Sequence, residues 1–185
     1  MKFISFLFII FITFSSTIKA DSIKDLKKEL LDGGKLIFIR HAYAPGGGDP
    51  DNFNINECNT QRNLSDRGKK QAIKIKNFFI ENQIQKYEVF SSEWCRCKET
   101  ASLVFGKFET KKFLNSFYSP KFEKNKKKQI KDLKKFIKKF DIDKNIILVT
   151  HYVVISEVLD YAPSSGEIVI SDKSFKKIGS VKINY

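Results

Sequence analysis

Two short apolar runs in the chain each end in a histidine. The first run spans Lys35 to Arg40 and precedes His41, and the second spans Asn145 to Thr150 and precedes His151. Runs of this length are typical of strands that are buried on both faces of a parallel sheet. Ligands bind beyond the carboxyl ends of such strands, and the sequence contains only two histidines. We therefore predict that both histidines belong to one active site.

The rest of the pattern alternates between helices and strands. Ser65 is the expected N-cap of a helix that ends near Asn82, because Ala72, Ile75 and Phe79 recur at helical spacing. This alternation predicts a three-layer α/β/α sandwich with a mostly parallel central sheet. The other predicted helices cover 21–31, 92–101, 124–139 and 153–161, and the other predicted strands cover 87–91, 107–113, 167–171 and 180–184.

The first twenty residues predict a secretory signal peptide. Met1 and Lys2 give a short positive start, Phe3 to Ile12 is almost wholly apolar, and small residues precede Ala20. An uncleaved anchor is the alternative, although the apolar run is short for a bilayer span. We expect residues 21–185 to form a single domain that is periplasmic or secreted, with no stable membrane insertion after cleavage.

Basic residues outnumber acidic ones, and the formal charge of +13 becomes +11 when the signal peptide removes two lysines and no acid. Such a charge favours anionic partners. The lysine-rich stretches 69–76 and 124–139 are typical of solvated helix faces, and aromatic residues do not alternate with these lysines as a nucleic-acid stacking platform requires. The expected partner is therefore a small phosphorylated substrate and not nucleic acid.

Three cysteines, Cys58, Cys95 and Cys97, predict one disulfide and one free thiol in an exported chain. Pairing of Cys58 with either of the others would tie the long loop after His41 to the segment around Arg96. Zinc needs more ligands at other spacings, and a redox pair normally has two residues between its cysteines. We expect a structural role and no metal, and the sequence leaves the pairing and the oligomeric state open.

Three motifs follow one another in a recognisable order. Arg40-His41 ends the first strand, Ser91-Ser92 precedes Arg96 and Thr100-Ala101 after the next strand, and Thr150-His151 ends a later one. With the helix start Leu64 to Ala72, this order resembles the first branch of the histidine phosphatase superfamily, which has the phosphoglycerate-mutase-like fold. The resemblance covers nearly all of residues 21–185.

The resemblance implies a role for each matching residue. His41 would attack phosphorus to form a phosphohistidine, Arg40 and Arg96 would bind the phosphoryl oxygens, and His151 would stabilise the transferring group. Arg62, in the loop before the helix that starts near Leu64, would add a further phosphate contact. The chemistry fits, because guanidinium groups match phosphate geometry and a neutral imidazole is a competent nucleophile. No cofactor or metal is expected.

The sequence departs from the family pattern at three places. Ala42 and Tyr152 stand where the family usually has glycine, and no glutamate occupies the 114–118 segment, near which mutase-like members carry their general acid. Protonation of the leaving oxygen requires a carboxylic acid. Asp49 is the preferred candidate because the glycines before it allow the loop to fold over the pocket, and Asp51, Glu57 and Glu93 are the alternatives.

The expected function is therefore that of an exported phosphomonoesterase. Its substrate would be a sugar phosphate or another envelope metabolite. The alternative is a non-catalytic anion-binding module that retains the same phosphate pocket without an effective acid.

Overall fold

The computed structural model describes residues 23–140 and 143–185, so the predicted signal peptide lies outside the described residues. The helices are α1 (Ile23–Asp32), α2 (Asp66–Glu81), α3 (Cys95–Phe105), α4 (Pro120–Glu123), α5 (Lys126–Lys138) and α6 (Tyr152–Leu159). The strands are β1 (Leu36–Arg40), β2 (Tyr87–Ser91), β3 (Glu109–Thr110), β4 (Asn145–Thr150), β5 (Ile168–Ser171) and β6 (Lys177–Val181). None of the described helices is long and apolar enough to cross a membrane.

One six-stranded sheet has the order β3-β2-β4-β1-β5-β6. The pairs β3–β2, β2–β4 and β4–β1 are parallel, whereas β1–β5 and β5–β6 are antiparallel. The predicted mixed sheet with a parallel majority is therefore confirmed. The antiparallel pairs lie at the β6 end, where a short turn joins β5 to β6.

Side chains of the central strands alternate between two apolar cores, one on each face of the sheet. On β1, Ile37 and Ile39 pack with α1, α2 and α3, whereas Leu36 and Phe38 pack with α5 and α6. Strands covered on both faces are apolar along most of their length, which explains the apolar runs 36–39 and 146–149 in the sequence. The predicted three-layer sandwich is confirmed.

The two peripheral strands differ from their predicted bounds. The 107–113 segment pairs with β2 at only two residues, because the chain then turns into a 3-10 helix that buries Leu114 under α5. The last strand begins at Lys177 and not at Ser180. The Asp172 carboxylate accepts hydrogen bonds from the backbone of Ser174 and Lys176, and this turn fixes the register of β6 on β5.

The sheet order brings the three motifs together. β4 lies between β1 and β2, so the carboxyl ends of all three parallel strands share one edge. The backbone N–H of His41 donates to the carbonyl of Thr150 (2.9 Å), and that of Ser92 donates to Val149 (2.9 Å). These bonds fix the residues that follow each strand at one site.

Candidate active site

Both histidines lie in one buried pocket at this edge. Each is 2% exposed, and their ring centroids are 5.5 Å apart. The pocket has a volume of about 450 Å³, and its lining includes Arg40, Arg62 and Arg96. The predicted basic residues thus line one cavity together with both rings.

Hydrogen bonds define the proton position on His41. Its Nδ1 lies 2.8 Å from the carbonyl oxygen of Ala42, which can only accept, so Nδ1 carries the hydrogen. Its Nε2 accepts from Nε of Arg96 at 3.2 Å. Burial, followed by the charge of Arg96, holds the pKa of His41 well below its ordinary value. His41 is therefore a neutral imidazole with the Nε2 lone pair on the pocket side.

Arg96 is the centre of the site. Its Nε donates to His41, and its Nη2 lies 3.5 Å from Nδ1 of His151. The first turns of α3 are fixed by Thr100, whose hydroxyl donates to the carbonyl of Arg96 (2.7 Å) and accepts from the N–H of Ala42 (3.0 Å). This link explains why the sequence pairs the arginine with a threonine four residues later.

His151 contacts Arg96 through Nδ1 and contacts Ser92 and Cys97 through Nε2. Its Nε2 lies 3.0 Å from the Ser92 hydroxyl and 3.5 Å from the Cys97 sulfur. Burial raises the pKa of the Cys97 thiol to about 12, so the sulfur is uncharged. Burial, followed by the positive charge of Arg96, lowers the pKa of His151 well below its ordinary value. Both histidines are therefore neutral.

Arg40 has a buried donor without a partner. Its Nη1 donates to the carbonyl of Pro163 (2.8 Å), and its guanidinium lies 5.3 Å from the ring centre of Tyr152. Its Nε is buried and makes no hydrogen bond within the described structure. An unsatisfied buried N–H of a charged group is costly, so an anionic oxygen in the pocket would stabilise it.

Asp49 occupies part of the cationic site. Its two oxygens accept from Nη1 and Nη2 of Arg96 at 2.6 and 3.2 Å, and Trp94 donates its indole N–H at 3.1 Å. Burial opposes the charged form of Asp49, but the hydrogen bond and charge of Arg96 outweigh burial and lower its pKa. Asp49 is therefore ionised and neutralises Arg96.

Arg62 shapes the loop that carries Asp49. Its Nε donates to the carbonyl of Gly48 (2.8 Å), its Nη1 donates to Ala44, and its backbone N–H donates to Asp49 (3.1 Å). Gly46 and Gly48 have φ values of +89° and +73°, a region that favours glycine. The loop is thus folded over the pocket, and two of the Arg62 side-chain donors are used to hold it there.

Comparison with known proteins identifies the fold. No family sequence model and no curated protein sequence matches the chain. The solved structure of TTHB049 from Thermus thermophilus is 14% identical, covers 81% of this chain and 99% of its own, and has a TM-score of 0.57. A proposed phosphohistidine phosphatase, SixA from Agrobacterium tumefaciens, is 14% identical, covers 81% of this chain and 98% of its own, and has a TM-score of 0.57. Phosphoglycerate mutase from Thermus thermophilus is 14% identical, with 81% and 99% covered and a TM-score of 0.55.

The chain has the phosphoglycerate-mutase-like fold. At this level of identity, the likeness establishes the fold, and the site must be argued from its own residues. The phosphoglycerate-mutase-like fold is the one that the order of the three motifs predicted.

The four candidate general acids, Asp49, Asp51, Glu57 and Glu93, lie in different places within this fold. Asp49 and Asp51 line the pocket, whereas Glu57 is exposed and accepts a hydrogen bond from Asn54. Glu93 does not line the histidine pocket. Its carboxylate accepts a hydrogen bond from Asn115 at 2.7 Å and lines a neighbouring cavity. Among these four, only the two loop aspartates contribute to the lining of the histidine pocket.

A disulfide holds the loop against α3. Cys58 is bonded to Cys95, and Cys97 is a buried free thiol. Gln61 reinforces the contact, because its side-chain oxygen accepts from the N–H of Cys95 at 2.9 Å. No group of three or more His, Cys, Asp or Glu residues among the described residues is arranged to hold a metal ion.

Sequence reasoning did not foresee the supporting roles of Trp94 and Asn115. Trp94 binds the Asp49 carboxylate, and Asn115 accepts from the Ser92 hydroxyl at 3.0 Å. Trp94 is the only tryptophan in the sequence and lies inside the second motif, which was the available signal. Asn115 has no comparable signal, because its partners are distant in the chain.

Proposed function

We propose that the protein is a phosphomonoesterase that forms a phosphohistidine at Nε2 of His41. The observation that carries this proposal is the pairing of a neutral nucleophile with unsatisfied positive charge in one pocket. The Nε2 lone pair of His41 lies on the Arg96 side of the ring, and the buried Nε of Arg40 has no partner among the described residues. A phosphate monoester dianion supplies both an electrophile and an anionic oxygen.

The arginines and His151 would bind the phosphoryl group while it is transferred. Arg40, Arg62 and Arg96 line the same pocket as the two histidines. Phosphoryl transfer depends mainly on positioning and on stabilising charge at the oxygens. A dianion beside His151 favours its protonated form, which lets that ring donate a hydrogen bond to a phosphoryl oxygen. Water then hydrolyses the phosphohistidine.

Asp49 is the proposed general acid. An entering phosphate competes with Asp49 for Arg96, and a carboxylate that loses its cation beside a dianion has a raised pKa. Asp49 would then be protonated in the complex and able to protonate the leaving oxygen. The short loop 45–51 keeps this carboxyl group next to the pocket after it leaves Arg96.

The substrate class and location extend the same proposal. The cationic pocket and net charge of +13 suit a phosphorylated small molecule. The names of the neighbouring structures, a phosphohistidine phosphatase and a phosphoglycerate mutase, support phosphoryl transfer in general. We propose a sugar phosphate or a similar envelope metabolite as substrate and a periplasmic or secreted location, on the basis of the signal-like segment 1–20.

Hydrolysis of an aryl phosphate and an alkyl phosphate tests the proposal. The purified protein should hydrolyse both, the His41→Ala variant should hydrolyse neither, and rapid quenching should trap phosphate on His41 in the unmodified protein. An aryl phosphate needs little help from an acid, so it reports on the nucleophile alone. Absence of turnover with both esters, combined with phosphate binding, would favour the anion-binding module instead.

A further inference from the structure

A chain of hydrogen bonds leads from His151 away from the pocket. The Ser92 hydroxyl lies 3.0 Å from Nε2 of His151 and donates to Oδ1 of Asn115 at 3.0 Å. Asn115 in turn donates from Nδ2 to the Glu93 carboxylate at 2.7 Å. Ser92 is fully buried, and Asn115 and Glu93 are half-buried. None of these contacts involves the atoms that would meet the phosphoryl group.

The direction of each hydrogen bond is fixed from the Glu93 end. The backbone N–H of Glu93, which can only donate, lies 2.9 Å from Oδ1 of Asn115, so the amide oxygen of Asn115 must face this N–H. The amide nitrogen of Asn115 therefore faces the Glu93 carboxylate and donates to it. The amide oxygen also faces Ser92. Since an amide oxygen cannot donate, the single hydroxyl hydrogen of Ser92 must point to Asn115.

Ser92 then has only lone pairs left for its other neighbours. The backbone N–H of Trp94 donates to this hydroxyl at 3.3 Å. The remaining lone pair faces Nε2 of His151, so this contact is a hydrogen bond only when that nitrogen carries the hydrogen. The Cys97 sulfur, 3.5 Å from Nε2, can accept weakly from the same N–H. The opposite nitrogen, Nδ1, lies 3.5 Å from Arg96, which can only donate. That distance is at the limit of a hydrogen bond, so the Ser92 contact is the stronger of the two constraints.

We propose that Asn115, oriented by Glu93, is a positioning residue that acts through Ser92 to keep the hydrogen of His151 on Nε2. The two histidines then have opposite tautomers, because His41 carries its hydrogen on Nδ1. The role of this arrangement in catalysis rests on the proposed function. When a phosphate dianion enters, His151 gains its second hydrogen at Nδ1, facing the pocket, while Ser92 already accepts the first.

Nitrogen NMR of the full protein, labelled with ¹⁵N-histidine, tests the tautomers without any need for activity. The sequence has two histidines, so the spectrum contains two ring systems, and a His41→Asn variant assigns them. At neutral pH and without phosphate we expect hydrogen on Nδ1 of His41 and on Nε2 of His151. Hydrogen on Nδ1 of His151 would overturn the proposal whatever the catalytic activity is.

An Asn115→Ala variant tests whether Asn115 determines the tautomer of His151. Its Ser92 hydroxyl is free to turn its hydrogen toward His151, so we expect a population with hydrogen on Nδ1 to appear. We also expect about a tenfold lower kcat for the aryl phosphate, as for the loss of one hydrogen bond. The double variant Asn115→Asp with Glu93→Gln reverses the donor and acceptor of the outer pair while keeping an acceptor for Ser92, so it should restore the single tautomer.

The matched control is Asn77→Ala, on the exposed face of α2, which should change neither measurement. An unchanged His151 tautomer in Asn115→Ala, or failure of the double variant to restore it, would contradict the role of Asn115. If the tautomers respond as expected and no ester is hydrolysed by the unmodified protein, the positioning role stands and the proposed enzymatic function fails.

Discussion

Replacing Asp49 with asparagine should tighten phosphate binding and, at the same time, slow the hydrolysis of alkyl phosphates. The Asp49 carboxylate accepts from both terminal nitrogens of Arg96, at 2.6 and 3.2 Å. A phosphate that uses Arg96 must therefore displace this carboxylate. Asparagine keeps a neutral oxygen for Arg96 or Trp94 but removes the charge, so displacement becomes easier.

The size of the expected change in phosphate affinity follows from the burial of the ion pair between Asp49 and Arg96. The Arg96 side chain is 3% exposed and the Asp49 side chain is 14% exposed, so solvent screens their interaction little. Breaking such a pair outright costs roughly 3–5 kcal/mol, and asparagine retains part of the hydrogen bonding. We therefore expect Asp49→Asn to reduce the stabilisation of the phosphate-free protein by about 2 kcal/mol. This loss corresponds to about thirtyfold tighter binding of phosphate.

Titration calorimetry with inorganic phosphate measures this change. Asp51→Asn is the matched control for charge, because Asp51 lines the same pocket but is exposed and does not contact Arg96. The control should change the phosphate Kd far less than Asp49→Asn does. Hydrolysis should then separate the two roles of Asp49, since the alkyl phosphate reaction should fall at least about tenfold more than the aryl phosphate reaction.

Weaker or unchanged phosphate binding by Asp49→Asn would refute the competition between the carboxylate and phosphate. Tighter binding with equal effects on both esters would retain the competition and remove Asp49 as the general acid. The thermal stability of the variant supplies an independent check. It should be lower than that of the unmodified protein without phosphate, and phosphate should raise it more strongly.

Three further predictions concern the arginine, the histidines and the disulfide. Arg40→Lys keeps the charge but loses the unpaired Nε donor, so kcat/KM should fall roughly 10- to 100-fold in the ester assay, and an unchanged value would contradict a phosphate contact at Nε. The pKa values of His41 and His151 are both lowered, so the unfolded chain binds more protons as the pH falls below about 6.5. The free energy of unfolding should therefore decline below that pH by up to about 1.4 kcal/mol per pH unit for each histidine. Urea unfolding at pH 7 and pH 5 measures this slope. Equal stability at the two pH values would contradict the prediction. Reduction of the disulfide between Cys58 and Cys95, which are 37 positions apart, should cost about 4 kcal/mol of stability, measured by denaturation with and without a reductant.

The sequence predicted best those parts of the fold that depend on local pattern. β2 lies at the predicted residues, and Ser65 caps α2 as expected, with its hydroxyl accepting from the N–H of Gly68. Both faces of β1 and β4 are buried and their central residues are apolar, so the extents of these two strands could also be predicted from the pattern. Because the carboxyl ends of parallel strands meet at one edge, the two histidines could be placed together before their distance was known.

Features that depend on contacts between distant segments could not be predicted in the same way. The bonds from Ser92 to Asn115 and from Asp49 to Arg96 join residues 23 and 47 positions apart. Serine, asparagine and aspartate are also common in turns that have no other function, so Ser92, Asn115 and Asp49 give no signal of these contacts. The bounds of β6 were wrong for a related reason, since its register is set by the turn at Asp172 and not by its own pattern.

Arg96 connects the proposed nucleophile His41, the second histidine and the proposed acid Asp49, so one exchange of anions would change all three. It donates to His41, lies 3.5 Å from His151 and pairs with Asp49. A phosphoryl group that takes these donors releases the Nε2 lone pair of His41, which must be free to attack. It also places negative charge beside His151 and removes the cation from Asp49, and both changes favour protonation. In the proposed mechanism, substrate binding at Arg96 therefore makes His41, His151 and Asp49 reactive together.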